Sequence, residues 1–142
     1  MRYSIVFALL FFSFAMVSAA APLVGGPCTY TDMPGTMIIT KVVKTKASKA
    51  QASSAGYEGY EVIFRFTTKA RVNNEVRALM KRQHQFTLLN GWRPGERYIK
   101  KYGITKGKTF PCTLQLIRTG TCSPVHFSFK GMDPVDYFES EK

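Results

Sequence analysis

The sequence lacks the residue groupings from which most active sites are built. Only two histidines occur in 142 residues, no serine stands in a Gly-x-Ser-x-Gly turn, and the Gly-x-x-x-x-Gly-Lys-Ser/Thr pattern of a phosphate-binding loop is absent. His84 shares strand parity with Phe86, which predicts a histidine at the edge of the core. His126 falls on the polar face of its own predicted strand. We therefore predict that the protein is not an enzyme.

Ligand sets for metals are equally scarce. No Cys-x-x-Cys or His-x-x-x-His spacing occurs, and no Asn-x-Ser/Thr acceptor site for a glycan is present. Four methionines could offer soft thioether ligands to Cu(I), but no close pairing of methionine with histidine matches the pattern of a copper site. Scattered core methionines explain them better, and they are Met33, Met37, Met80 and Met132. We expect neither a metal nor a cofactor.

An apolar leader occupies the first twenty residues. Arg2 is its lone charge, a predominantly apolar run follows from Ile5 to Val17, and small residues then stand at 18–21. This pattern predicts a secretory signal peptide over residues 1–20 and a secreted or periplasmic protein. An uncleaved membrane anchor is the alternative, but the run is shorter than the ~20 residues that span a bilayer. No basic flank follows it before Lys41, so we expect no stable membrane span after cleavage.

Positive charge dominates the remaining chain. The sequence has 20 Lys and Arg against nine Asp and Glu, and removal of Arg2 leaves 19 against nine, a net charge of +10. Basic residues concentrate in segments 41–49, 69–82 and 93–108, whereas four of the nine acidic residues gather after residue 132. Such a surface predicts an anionic polymer or another anionic component of the cell envelope as partner, although charge that serves solubility alone is the competing explanation. Export argues against genomic DNA or cytosolic RNA.

Three cysteines remain after cleavage of the leader. In an oxidising compartment two of them should pair and the third should stay a thiol. Cys112 and Cys122 flank the turn signal Thr119-Gly120, so we expect a disulfide between them. The other two pairings, both with Cys28, stay open because the two flanking cysteines could point to different faces of their strands.

Apolar alternation predicts five strands and few helices. The first predicted strand has apolar residues on both faces, which indicates burial on both sides or a coil through a bulge. Residues 46–59 are rich in Ala, Ser and Lys without an apolar period, and we predict a long mobile loop there. Pro94 and Gly103 bracket a predicted helix over 94–102, and Asn73 or Asn74 caps a shorter one that ends near Arg82. The predicted strands are 36–45, 60–67, 85–89, 109–118 and 125–130.

This element order resembles the OB fold, a small five-stranded barrel with a helix between its third and fourth strands. The resemblance rests on the order of elements over residues 36–130 and implies a mainly β protein. It divides the chain into a signal peptide at 1–20, a lead-in loop at 21–35, an OB-like β-barrel domain at 36–131 and an acidic, irregular tail at 132–142. Another small Greek-key barrel stays possible.

OB barrels bind oligonucleotides or oligosaccharides on the face of the second and third strands and on two adjoining loops. The resemblance implies that the corresponding surface of this chain consists of basic and aromatic residues. Aromatic rings among cations can stack on sugars or bases while the cations hold the negative charges. We therefore expect a non-enzymatic module for an anionic ligand. A protein-interaction, inhibitor or accessory role with a secreted protein partner is the alternative. The expected ligand-binding residues are Lys44, Lys46, Lys49, Tyr57, Arg65, Trp92, Arg93 and Arg118.

Overall fold

The computed structural model describes residues 27–137 and Glu139. The predicted signal peptide lies outside these residues. Five antiparallel strands form one curled sheet, a half-barrel, with strand order β3-β2-β1-β4-β5. Four short helices lie in the connections. The elements are β1 (Thr29–Val43), α1 (Lys46–Ala50), α2 (Ala52–Ala55), β2 (Glu61–Thr67), α3 (Asn74–Lys81), β3 (His84–Phe86), α4 (Glu96–Tyr102), β4 (Thr109–Thr119) and β5 (Val125–Phe129).

The long strand β1 joins the two halves of the sheet. Its first part pairs with β4 and its second part with β2, and around Met37 it pairs with both. A bulge between Ile39 and Lys41 shifts the register, so that Met37 and Ile39 face the core before it and Val42 packs against the core after it. The coil through a bulge that the two-faced pattern indicated is confirmed.

β1 begins at Thr29, so the predicted lead-in loop at 21–35 is wrong over its second half. Pro34 and Gly35 suggested a loop, yet both are paired with β4. Pro34 fits because proline has no N–H to donate to a neighbouring strand. β2 pairs with β1 only as far as Thr36, so no strand lies on the side of β1 where the N–H of residue 34 is missing. Gly35 fits because a Cβ there would overlap the backbone oxygen of Thr67 and would stand 2.5 Å from the ring of Phe66.

Aromatic rings fill the half-barrel and connect its two edge strands. Phe64 on β2 contacts the rings of Phe127 and Phe129 on β5, at centroid distances of 5.2 and 5.7 Å. From β3, Phe86 lies 5.2 Å from Phe129 and His84 lies 4.7 Å from Phe127. β3 and β5 therefore meet through side chains, although they stand at opposite ends of the strand order. His84 is half-buried beside the core, as predicted, and His126 is exposed.

The segment 46–59 is not the mobile loop that its composition predicts. Thr45 caps α1 in a capping box with Ser48: the Thr45 hydroxyl accepts from the Ser48 N–H at 3.1 Å, and the Ser48 hydroxyl accepts from the Thr45 N–H at 2.8 Å. Ser48 and Ala55 are buried. These small side chains anchor α1 and α2 without an apolar period, which is why periodicity did not reveal the helices.

The other two helices follow their sequence signals closely. Asn73 caps α3, its side chain accepting from the Val76 N–H at 2.9 Å, and Val76 is buried. α4 starts at Glu96, two residues later than predicted, because Gly95 is the N-cap. Gly103 ends it in the left-handed conformation, as predicted.

Residues 132–136, within the predicted acidic tail, pack onto α4. Met132 is buried, and the Tyr98 hydroxyl donates to the Asp133 carbonyl at 2.9 Å. Tyr102 donates to the Asp136 carboxylate at 2.7 Å, and Lys101 forms an ion pair with the same carboxylate. Burial raises the pKa of the Tyr98 hydroxyl well above its ordinary value. The packed body therefore continues past the predicted boundary at residue 131.

The disulfide joins Cys28 to Cys122, and the predicted pairing of Cys112 with Cys122 is wrong. Antiparallel pairing of Thr29 with Thr119 brings Cys28 beside the turn after β4. Cys112 instead faces the core, where burial raises the pKa of its thiol to about 12. Among the described residues no helix is long and apolar enough to cross a membrane.

Candidate functional site

Three of the expected binding residues meet where the chain after α2 crosses the chain before α4. The rings of Tyr57 and Trp92 contact edge to face, with centroids 6.2 Å apart. The Tyr57 hydroxyl donates to the Arg93 carbonyl at 3.3 Å. The side-chain amide of Gln51 donates to the same carbonyl at 3.0 Å and accepts from the Arg93 N–H at 2.7 Å. Gln51 therefore fixes α1 and α2 to the segment before α4.

The side chains of this corner pack closely against each other. Tyr57, Trp92 and Arg93 are all half-buried, and a Cβ at Gly59 would stand 2.6 Å from the Arg93 Cβ. The Arg93 Nε is buried without a hydrogen-bond partner among the described atoms. The two rings contact each other edge to face and the tyrosine hydroxyl is bonded to backbone, so both side chains take part in the packing of this corner.

Lys44 lies next to this corner in an ion-paired cluster. Its Nζ is 2.8 Å from the Glu58 carboxylate, 4.0 Å from that of Glu96, and 5.2 Å from the centroid of the Tyr60 ring. The hydrogen bond to Glu58 raises the pKa of Lys44, and the same bond lowers the pKa of Glu58. The charge of Lys44 is therefore largely balanced within the protein.

The remaining expected residues are spread over the molecule. Lys46 and Lys49 are exposed on α1. Arg65 is exposed at the middle of β2, opposite Ile38. Arg118 lies near the end of β4, where its Nε donates to the Thr31 hydroxyl. Because Thr31 is close to the start of β1 and Lys44 follows its end, the structure does not gather the eight residues into one surface.

A different segment concentrates unpaired positive charge. We call residues 68–83, which join β2 to β3 and include α3, the basic connection. Its only acidic residue is Glu75. Its five cations are exposed, and none of them forms an ion pair within the part of the chain that the structure describes; they are Lys69, Arg71, Arg77, Lys81 and Arg82.

In the other basic segments, several cations form ion pairs. Lys41 pairs with Glu61 at 2.9 Å, and Lys100 pairs with Glu96 at 2.9 Å. Lys44 and Lys101 also form ion pairs, so that four of the chain's nine acidic residues are paired with lysines at the end of the half-barrel that carries α1 and α4. Positive charge that is free to meet a ligand is therefore highest on the basic connection.

An open cavity of about 470 Å³ adjoins the basic connection. It is lined by residues 34–36 of β1 and 67–70 at the end of β2. The Thr68 hydroxyl donates to the Pro34 carbonyl at 2.7 Å and accepts from the Ala70 N–H at 3.1 Å. These bonds hold the turn after β2 against β1. Lys69 is the one charged residue of the lining.

Potential metal ligands are dispersed. The described residues contain no group of three or more His, Cys, Asp or Glu that could hold a metal ion. His84 uses its Nε2 in a 2.9 Å hydrogen bond with the Leu79 carbonyl. The two methionines Met37 and Met132 are buried, and Met33 and Met80 pack against the core.

No family model, curated protein or solved structure matches this chain. The comparisons therefore assign neither a family nor an activity to the chain. The sequence signal for the basic connection was a local excess of cations over acids in segment 69–82. The cavity had no such signal, because it forms only when residues 34–36 and 67–70 come together.

Proposed function

We propose that the protein is a secreted or periplasmic, non-enzymatic binding module that holds an anionic ligand through the basic connection. The observation that carries this proposal is the difference in pairing: all five exposed cations on the basic connection lack an acidic partner, whereas four of the cations around α1 and α4 form ion pairs. Clustered charge of one sign raises the local concentration and association rate of an oppositely charged partner.

The orientation of α3 supports this assignment. Val76 is buried, and Leu79 and Met80 pack against the core, which turns the opposite side of the helix outward. Arg77 and Lys81 stand four residues apart, so their side chains lie on one exposed face of the helix. A rigid helix that holds two cations side by side loses little conformational entropy when both contact one polymer.

We further propose that the half-barrel has OB topology. Strand order β3-β2-β1-β4-β5 becomes a closed five-stranded barrel when β3 meets β5, and the rings of Phe86 and Phe129 supply that contact. OB folds are partly open barrels that bind oligonucleotides and oligosaccharides on the face of strands 2 and 3. The basic connection joins those two strands, which supports a ligand at that end of the face.

The Cys28–Cys122 disulfide supports an oxidising compartment, in keeping with the proposed export. An anionic polymer of the cell envelope or of the extracellular medium is then the kind of ligand that the protein would meet. Genomic DNA and cytosolic RNA would lie in other compartments.

Salt-dependent binding to immobilised heparin tests the proposal. We expect retention to fall steeply with salt, because each neutralised anionic group releases counterions. Replacement of Arg77, Lys81 and Arg82 by Ala should lower the slope of log K against log salt by about one per cation removed. The matched control replaces Lys46, Lys49 and Lys106, which are also exposed, and should retain the slope. Equal losses in both triple variants would show that only net charge matters and would reject a site on the basic connection.

A protein partner is the second candidate, and a separate observation favours it. Leu89 and Val135 are 66% and 49% exposed, the large hydrophobic residues that stand out at the surface of the described chain. A 2.9 Å hydrogen bond from the Leu89 N–H to the Pro134 carbonyl brings their segments together. Pull-down from the native medium with wild-type protein and with Leu89→Ser tests this function. One stoichiometric protein that the variant loses would support it, and an unchanged set of recovered proteins would reject it.

A further inference from the structure

We infer that the cavity beside Gly35 is a subsite for one acidic sugar residue, and that the ligand is an anionic glycan. This inference rests on the proposed function and names the ligand class of the same surface. The cavity volume, about 470 Å³, is within the range of small-molecule sites in proteins. Lys69 supplies positive charge at the cavity, and the basic connection continues directly from it.

The cavity offers hydroxyl groups suited to a sugar. Thr36 and Thr67 are directly opposite each other on β1 and β2, and both line the cavity. The Thr67 hydroxyl forms a long bond of 3.5 Å to the Thr36 carbonyl. Within the described chain the Thr36 hydroxyl has no hydrogen-bond partner. An unpaired hydroxyl that both donates and accepts matches the hydroxyl groups of a pyranose ring.

The surface lacks what a nucleic acid would need. Every aromatic side chain in the described chain is buried or half-buried, and the cavity lining has none. Single-stranded nucleic acids are held by bases that stack on exposed aromatic rings, at about 1–3 kcal/mol for each base. The polar groups of the lining are a cation and threonine hydroxyls, which match the carboxylate or sulfate groups and the ring hydroxyls of an anionic glycan.

The arrangement of charges favours a polymer that extends beyond the cavity. Lys69 and Arg71 follow the end of β2, and the exposed cations of α3 come next along the chain. One acidic sugar in the cavity would contact Lys69, and the neighbouring sugars would reach Arg71 and Arg77. The cavity then selects the sugar unit, while the basic connection supplies the charge-dependent part of the affinity.

Two substitutions separate these contributions. Thr36→Val removes the unpaired hydroxyl with little change in shape or β propensity, and Thr113→Val is its control on the far side of β1 from β2. With a heparin octasaccharide as probe, binding is measured over a range of salt and extrapolated to 1 M, where the counterion contribution vanishes. We expect Thr36→Val to weaken the extrapolated affinity by about three- to tenfold with the salt slope unchanged. Thr113→Val should leave both unchanged, and Lys69→Ala should lower the slope by about one.

Three probes distinguish a failure of the glycan assignment from a failure of the proposed function. Sodium polyphosphate and oligo-dT of matched charge are compared with the heparin octasaccharide. Tighter binding of the octasaccharide, with an effect of Thr36→Val confined to it, supports the inference. Equal or tighter binding of polyphosphate or oligo-dT overturns the glycan assignment and leaves the basic connection as an anion-binding surface. Failure of all three probes to bind rejects the proposed function itself.

Discussion

Loss of the Cys28–Cys122 disulfide should destabilise the protein strongly. The two cysteines are 94 residues apart in sequence, so their bond constrains most of the unfolded chain. The chain-entropy relation gives about 4.7 kcal/mol for a closed loop of this length. The same relation gives about 2.7 kcal/mol for a bond between Cys112 and Cys122, which would close a much shorter loop. Measured effects are commonly 2–5 kcal/mol, a large share of the 5–15 kcal/mol that stabilises a typical domain.

Denaturant unfolding of the variant with Cys28→Ser and Cys122→Ser measures this loss. We expect the free energy of unfolding to fall by about 2–5 kcal/mol, with a matching fall in the unfolding midpoint. The N-terminal end of β1 should fray, because the disulfide ties Cys28, the residue immediately before β1, to the turn after β4.

Cys112→Ala is the matched control and decides the pairing. Its disulfide should persist, and thiol titration of the denatured protein should find no free thiol, whereas the wild-type chain has one. Tryptic mapping should recover Cys28 and Cys122 in one linked pair of peptides. Loss of the disulfide in Cys112→Ala, or its persistence in Cys28→Ser, would refute the pairing and the stability estimate together.

Three further outcomes follow from buried or paired groups. The Cys112 thiol should resist alkylation in the native protein at pH 8 and react only on unfolding, because burial raises its pKa to about 12; rapid native labelling would contradict its placement. Gly35→Ala should lower the melting temperature, since its Cβ would stand 2.5 Å from the Phe66 ring; an unchanged melting temperature would show that the contact is loose. The pKa of Glu58 is lowered by Lys44, so its contribution to stability should be present at neutral pH and decline as the carboxylate is protonated in acid; Lys44→Ala should flatten that decline in a series of unfolding measurements against pH.

Strand positions could be predicted from alternation, but their ends depended on tertiary pairing. Val62, Phe64 and Phe66 fall at alternate positions of β2, and these three side chains are buried as expected. The start of β1 could not be found in the same way. Proline and glycine usually mark turns. Pro34 is tolerated within the strand because β2 does not extend beside it, and Gly35 is required there because the Phe66 ring leaves no room for a Cβ.

The candidate site was less predictable than the fold. Tyr57, Trp92 and Arg93 do meet, yet an aromatic residue in a loop can face solvent or core, and its sequence neighbours do not decide which. The charge of Lys44 is balanced by Glu58, fourteen residues later in the chain. Net charge was visible in the sequence, whereas the distinction between paired and unpaired cations needed the folded positions of the carboxylates.

The edge strands β3 and β5 of the half-barrel meet through contacts between side-chain rings. Rings of Phe86 and Phe129 meet there, and His84 meets Phe127. Ring contacts have weaker directional requirements than a ladder of backbone hydrogen bonds, so the two edges can slide or part by small amounts while every strand keeps its partner. We therefore expect small opening movements of the sheet to occur along this line, and because the basic connection leads into β3, such movements would carry it with that edge strand.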